Sequence, residues 1–393
     1  MELAPFLARA RWLPGFHRAS PSTPLDASSY VRGSIAPRRR KHDGFLPDLA
    51  ARFVTRAAAR CSRCVSDSST ERAVEDLIAT LEPIDAAERR RALVIVNPFA
   101  TAVTERLRNL VVYALAARYE VEAVETRARG HATELARQAA DDGYDIVIAF
   151  GGDGTVNETA NGLAGSGTPL SCLPGGSANV FCKLLGIPGE IIDATQHLLL
   201  MADTFSPRQV DLGDVDGRLY TFSAGIGMDA DVVRGVDARP RLKARFGPYF
   251  FLAMALRTFA GHYLIRPPRM FVSVGSETVA GVTTIVQNAV HYTYFHDRPI
   301  DLADGASLDG GTLSSVVLRR ASVLGAASLL ARAAIGGGRV ARHRQVASFR
   351  DITSMTVSSA AGRPLALQVD GDHIGEVTEA RFTIRPAALT VVA

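Results

Sequence analysis

Between the apolar run Asp145–Phe150 and the helix-forming residues Val156–Leu163 stands Gly151-Gly152-Asp153-Gly154-Thr155-Val156-Asn157-Glu158. A β-branched run, a glycine turn and a helix in that order predict a strand whose carboxyl end opens onto a helix N-terminus, the place where open α/β sheets bind ligands. Glycines there let backbone N–H groups approach a phosphate closely, and the helix start adds partial positive charge. A carboxylate inside a loop built for anions requires a cation or a proton to face, which singles out Asp153. A tight turn whose aspartate caps the helix is the plainer reading of a bare G-G-x-G; Asn157 and Glu158 in the first helical turn make the longer pattern harder to dismiss.

The surrounding pattern gives this turn a context. Ala92–Val96, Glu120–Glu125 and Asp145–Phe150 read as strands, and Val103–Ala117, Ala132–Ala140 and Val156–Leu163 as helices. Such alternation predicts a parallel sheet covered on both faces. Beyond Asp211 the helical signal thins. Leu219–Ser223, Met270–Val274, Thr283–Asn288, Leu313–Arg319, Ser354–Ser358 and Leu365–Val369 read as strands separated by Gly, Asp and Pro turns, predicting an antiparallel, mostly β second domain.

A second glycine turn, Pro174-Gly175-Gly176-Ser177-Ala178-Asn179, follows the apolar stretch Pro169–Leu173 and precedes the helical Val180–Leu185. It offers the same close approach plus a hydroxyl at Ser177. Asn97, in Val96-Asn97-Pro98 at the end of the first strand, falls at the same predicted sheet edge.

Charge and length limit the alternatives. With 393 residues, 47% hydrophobic and 21% charged, the chain has material for two globular units. Residues 1–60 carry 11 Lys and Arg against 4 Asp and Glu, or +7; the whole chain is +4, so the remainder is −3. A mildly acidic body argues against nucleic acid as partner, since duplex affinity rests on cationic neutralisation of phosphate. The basic run Arg38–Lys41 suits a solvated cluster or contact with anionic lipid. No apolar run reaches the ~18 residues that span a bilayer. Cys61 and Cys64 form a C-x-x-C pair with no second ligand pair nearby, so the four cysteines read as reduced thiols. A helix is expected over Thr70–Leu81.

The order V-N-P, G-G-D-G-T-V-N-E and P-G-G-S-A-N-V-F-C-K-L-L-G-I-P resembles the diacylglycerol kinase catalytic-domain family, which includes bacterial lipid kinases, sphingosine kinases and ceramide kinases. The likeness runs from Ala92 to the C-terminus. It implies an α/β protein: an N-terminal doubly wound parallel-sheet nucleotide domain similar to those of phosphofructokinases and NAD kinases, and a C-terminal antiparallel β-sandwich lipid domain. The expected organisation is a basic extension over 1–90, an ATP-binding catalytic domain over 91–211 and a lipid-substrate domain over 212–393, whose last strand is a candidate to return to the first domain. The implied partners are ATP, Mg²⁺ and a lipid at the membrane surface, in a cytoplasmic protein that meets the membrane peripherally.

Carried onto this sequence, the resemblance implies nucleotide contacts at Thr126, at Gly152, Asp153, Gly154, Thr155, Asn157 and Glu158, and at Ser177; Asn97, Gly151, Gly176 and Asn179, in the turns at the same sheet edge, complete the expected set. Asp153, singled out above, is one expected catalytic carboxylate, and the resemblance implies a second at Asp372. The latter ends Asp370-Gly371-Asp372, where the family has D-G-E with the last carboxylate as general base. Ala224–Ala230 resembles the family's glycine-rich segment early in the lipid domain. Val180 stands where the family commonly has Asp, and Leu308–Leu313 replaces a more acidic pattern that holds a structural magnesium ion in some members, leaving Asp309 as the metal candidate. Arg239–Tyr263, a basic lead-in followed by an aromatic and aliphatic helix, is the expected path of the lipid, with a core helix as the alternative. A soluble NAD kinase-like enzyme and a catalytically silent lipid- or nucleotide-binding protein are the competing functions. The motifs leave the lipid, the identity of the general base and the oligomeric state open.

Overall fold

The computed structural model describes residues 89–393 except 101, 266, 296–297 and 336–339. Cys61, Cys64, the Arg38–Lys41 run and the helix expected over Thr70–Leu81 lie outside the described residues.

The first half alternates as its sequence pattern requires: β1 (Arg90–Val96), α1 (Glu105–Leu115), β2 (Tyr119–Glu125), α2 (His131–Asp141), β3 (Ile146–Gly151), α3 (Asp153–Leu163), β4 (Leu170–Pro174), α4 (Val180–Leu184) and α5 (Ile191–Thr204). The four strands pair in parallel in the order β2-β1-β3-β4. β3 is buried along its whole length, which is why it reads as a continuous apolar run rather than an alternating one. Full burial of each of Ile146, Ile148 and Phe150 contributes roughly 1.5–3 kcal/mol.

Two helix starts differ from the periodicity. α1 begins at Glu105 because the Thr104 hydroxyl accepts the Leu107 N–H at 3.2 Å and caps it there. α3 begins at Asp153, a turn earlier than its apolar residues suggest, because the Gly152 carbonyl accepts from both Thr155 N and Val156 N.

The second half is an antiparallel β-sandwich. After β5 (Arg208–Val215), β6 (Arg218–Tyr220) and β7 (Ser223–Gly227) come α6 (Met228–Asp237) and α7 (Pro240–Thr258), which runs on into a π-helical turn. Then follow β8 (Met270–Val274), β9 (Glu277–Gly281), β10 (Thr283–Gln287), β11 (Thr293–Phe295), β12 (Arg298–Ile300), β13 (Leu313–Leu318) and α8 (Val323–Ile335). The chain ends with β14 (Val346–Ile352), β15 (Ser354–Ser359), β16 (Leu365–Val369), β17 (Asp372–Val377) and β18 (Glu379–Val391). One sheet has the order β14-β13-β10-β7-β16-β17, and β18-β15-β8-β9 forms the other layer. Ile226, Met270, Val272, Val286, Leu367 and Phe382 share their core.

β18 is long enough to serve both halves. It pairs antiparallel with β15 and β5, then meets β4 in parallel at Val391 and Leu170. The strand expected over Leu219–Ser223 is instead two strands, β6 and β7, broken at Thr221 and Phe222. The backbone N–H groups of Thr221, Phe222 and Ser223 turn onto the Asp370 carboxylate. Cys172 and Cys182 are free and buried. None of the described helices is long and apolar enough to cross a membrane.

Candidate functional site

Parallel pairing brings the ends of β1, β3 and β4 to one rim. Val96 lies opposite Phe150, and Gly151 opposite Pro174. Asn97 N donates to Phe150 O at 2.9 Å, Thr126 N to Val96 O at 2.8 Å and Gly175 N to Gly151 O at 2.8 Å. The residues expected after the first, second, third and fourth strands therefore meet at the same edge. The two glycine turns touch backbone to backbone: a Cβ on Gly176 would stand 2.8 Å from Gly152 Cα. Only glycine permits that approach. Beside Thr126, a cleft of about 560 Å³ is lined by Val96, Arg108, Asn109, Val112 and Arg127.

The second half supplies a carboxylate to this rim. Asp370 and Gly371 both have positive φ, 47° and 80°, as a two-residue turn between β16 and β17 demands. That turn delivers Asp372 to α3: a Cβ on Gly154 would fall 2.3 Å from Asp372 Oδ2. Asp153, one residue away, accepts from Phe181 N at 3.2 Å. Burial pushes the Asp153 carboxyl up to about 7, and the negative charges of Asp370 and Asp372 act in the same direction, against hydrogen bonds from Phe181 and Val180. The structure thus brings together the two aspartates that the sequence separates by more than two hundred residues.

The other expected contacts divide into open and engaged groups. Ser177 is exposed and Thr126 partly so. Thr155 is buried, its hydroxyl accepting from Asn97 Nδ2 at 3.0 Å. Asn179, at φ 48°, closes the second turn on itself by accepting from Gly176 N at 2.8 Å and donating to Gly176 O at 2.9 Å. Glu158 accepts from Ala132 N at 3.3 Å and so caps α2, whose own N-cap is Gly130. Asn157, 2% exposed, donates to Asp370 Oδ2 at 2.7 Å and Leu219 O at 3.0 Å and accepts from Arg218 at 2.6 Å.

Asp309 is exposed and accepts from the Ser307 hydroxyl. The buried carboxylate of that region is Asp211, which accepts from Gly311 N at 2.6 Å and Ala387 N at 2.8 Å. No group of three or more His, Cys, Asp or Glu side chains is gathered to hold a metal among the described residues.

Sequence reasoning missed the groups that hold the Asp372 hairpin. Asp370 takes five hydrogen bonds: from Thr221 N, Thr221 Oγ1 and Asn157 Nδ2 on one oxygen, and from Phe222 N and Ser223 N on the other. Burial raises its pKa, and those donors oppose the rise. Gln368 accepts from Gly371 N at 2.9 Å and donates to Asp229 Oδ2 at 2.7 Å, while Asp229 Oδ1 accepts from Tyr292. Burial raises the Asp229 carboxyl too. The available signals are Asn157 and Asp370, which stand in the two quoted motifs, and Asp229 within the glycine-rich segment Ala224–Ala230.

Comparison with known proteins covers both halves. Residues 91–215 match the family described as diacylglycerol kinase catalytic domain, and residues 203–393 match the YegS C-terminal NAD kinase beta sandwich-like domain. The diacylglycerol kinase of Bacillus subtilis (strain 168) is 29% identical over 243 residues, covering 60% of this chain and 75% of that one. A diacylglycerol kinase of Staphylococcus aureus (strain bovine RF122 / ET3-1) is 33% identical over 169 residues, covering 42% of this chain and 51% of that one, so the match spans about half of the staphylococcal protein. A crystal structure of a diacylglycerol kinase from Bacillus anthracis str. Sterne shares the fold, with a TM-score of 0.57 at 19% identity over 78% of this chain and 97% of that one. Matched from residue 91 to its last residue, the chain belongs to the diacylglycerol kinase catalytic-domain family of lipid kinases.

Proposed function

We propose that the protein transfers the γ-phosphoryl group of ATP to a hydroxyl of a membrane lipid, diacylglycerol or a related lipid. The observation that carries this reading is the seat of Asp372 against Gly154, where a carboxylate from the β-sandwich meets the helix that follows the first glycine turn. Phosphoryl transfer asks the protein mainly for positioning and charge neutralisation. The glycine turns and the start of α3 suit the phosphates, Ser177 offers a hydroxyl to them, and the cleft beside Thr126 suits the nucleoside. Asp372 accepts the proton of the lipid hydroxyl, a contribution of roughly 10²–10⁴-fold for a well-placed general base.

Mg²⁺ fits Asp153. A carboxyl raised by burial and by two negative neighbours is relieved by a divalent cation, and Mg²⁺ binds through one or two carboxylates together with substrate phosphates. When bound, it neutralises charge on the transferring group. The lipid's approach is supported by α7, where Phe246, Tyr249, Leu252 and Leu256 are exposed by 49%, 62%, 43% and 53%. The other face packs Met254, Phe250 and Phe251 against Val232 and Val236, so α7 has one packed and one exposed apolar face, and the exposed one suits peripheral contact with a bilayer.

The test incubates the full chain with labelled ATP, Mg²⁺ and vesicles bearing diacylglycerol, sphingosine or other hydroxylated lipids, alongside Asp153→Asn and Asp372→Asn. Label on one lipid, lost in both variants, is the expected result. Label on no lipid with ATP still bound points to a silent binder, and label on added NAD points to a soluble kinase.

A further inference from the structure

α8 presents an inverted surface. Its exposed stripe is Val323, Leu324, Ala327, Leu330 and Ala331, at helical spacing and without one polar residue. Val323, Leu324 and Leu330 are 62%, 84% and 52% exposed. A helix lying on a water-soluble body normally turns such a stripe inward.

Cations surround the start of this helix. Between residues 310 and 349 the sequence has six arginines and neither Asp nor Glu. Arg319 and Arg320 stand four and three residues before the first residue of α8, and both are exposed. Arg319 N donates to Gln345 O at 2.9 Å, and Gln345 Nε2 donates to Ser322 Oγ at 3.1 Å, so the segment bearing exposed Arg342 and Arg344 lies against the same end. None of these four arginines takes part in the ion pairs of the described residues. Cations at a helix N-terminus oppose its dipole and repel each other, an arrangement that an anionic surface relieves. His343, buried between them, has its pKa lowered by burial and by Arg332 and Arg344.

We infer that the exposed face of α8 and its four arginines dock the protein on a bilayer containing anionic phospholipid. The apolar stripe enters the headgroup boundary while the guanidinium groups meet phosphates, as in interfacial helices with a polybasic flank. Thirteen residues make a helix about 20 Å long, suited to lying in the interface. This deepens the lipid-kinase reading and rests on it for its purpose, but not for its test, because α8 holds none of the residues placed at the phosphate rim.

The test is co-sedimentation of the full chain with phosphatidylcholine vesicles, with and without phosphatidylglycerol, in the absence of ATP. Hydrogen exchange of residues 323–335 is followed in the same samples. Binding is expected only with the anionic lipid, together with protection of α8. Arg319→Gln with Arg320→Gln lowers partitioning by about fivefold per arginine, and Leu324→Glu lowers it by tenfold or more. Both variants keep the parent's activity on lipid dispersed in detergent. Vesicle binding without protection of α8, or undiminished in both variants, overturns the proposal whatever the kinase assay gives. Docking without phosphorylation of any lipid leaves the surface standing and removes the lipid-kinase reading.

Discussion

The Asn157 side-chain amide donates to Asp370 Oδ2 at 2.7 Å, joining the helix after the first glycine turn to the hairpin that carries Asp372. Asp370 is 3% exposed, and three of its five donors are backbone N–H groups. Asp370→Ala strands those donors, each at about 1–3 kcal/mol, so a loss of about 3–5 kcal/mol in urea unfolding is expected. Asn157→Ala is expected to cost about 1.5–3 kcal/mol, the range for a hydrogen bond to a charged group. A double-mutant cycle then yields a coupling of at least about 1 kcal/mol; strictly additive losses would show that the contact joins nothing.

Asp153 makes stability and activity respond to pH in opposite ways. Because burial raises its pKa from 3.8 to about 7, the folded protein holds this proton more tightly than the unfolded chain does. Its favourable contribution is complete below about pH 4 and declines as pH rises towards 7. Asp153→Asn does not titrate, so its stability relative to the parent improves between pH 4 and pH 8, by at most about 4 kcal/mol at 1.36 kcal/mol per pKa unit. Urea midpoints at both pH values measure this. Parent activity, which on the proposed reading needs the ionised group, rises over the same interval.

Gly154→Ala separates catalysis from folding. The new methyl occupies the place of Asp372 Oδ2, 2.3 Å away, so the carboxylate must move by more than an ångström. The helix itself gains up to about 1 kcal/mol from alanine. A melting temperature at or above the parent's, with kcat reduced about a hundredfold, is the expected pair of results. Gly176→Ala differs because its methyl meets the Gly152 backbone at 2.8 Å, with no flexible side chain to yield. Calorimetry is expected to show ATP affinity lowered by about tenfold or more as the two turns separate, a change of at least about 1.4 kcal/mol.

The contrast between those glycines shows what the sequence made legible. Residue spacing placed both glycine turns at strand ends, and the alternation of apolar runs gave the parallel sheet, because both are local properties of the chain. Asp153 stands out from the chemistry of its own turn and Asp372 only through motif resemblance, and the hairpin geometry accounts for their meeting. Asn157, Glu158 and Asn179 belong to the same motifs, but motif spacing says nothing of partners: Asn157 bonds a residue 213 positions away, and Glu158 caps a different helix. Asp370 stands in an Asp-Gly pair, which by itself signals only a turn, since its five donors come from segments that only tertiary folding assembles. The break at Thr221 and Phe222 was hidden for the same reason. Their β-branched and aromatic character favours a strand, and a buried carboxylate claimed their N–H groups instead.

Gln368 offers a sharper test of how the hairpin is held. Its carbonyl oxygen accepts from Gly371 N, one residue before Asp372, and its amide nitrogen donates to Asp229 Oδ2. Leucine at this position leaves both partners unsatisfied, so Gln368→Leu is expected to reduce kcat by about 10- to 100-fold with the ATP KM unchanged, because the nucleotide turns are untouched. Gln368→Glu places a second carboxylate against Asp229, which buries like charges together and raises the pKa of the pair. Once protonated, the new glutamic acid can still accept from Gly371 N while its hydroxyl donates to Asp229, restoring the original pattern. The ratio of Gln368→Glu to parent activity should therefore rise as pH falls, and that of Gln368→Leu should stay flat. Equal, pH-independent losses in the two variants would show that Gln368 fills space and does not orient Asp372.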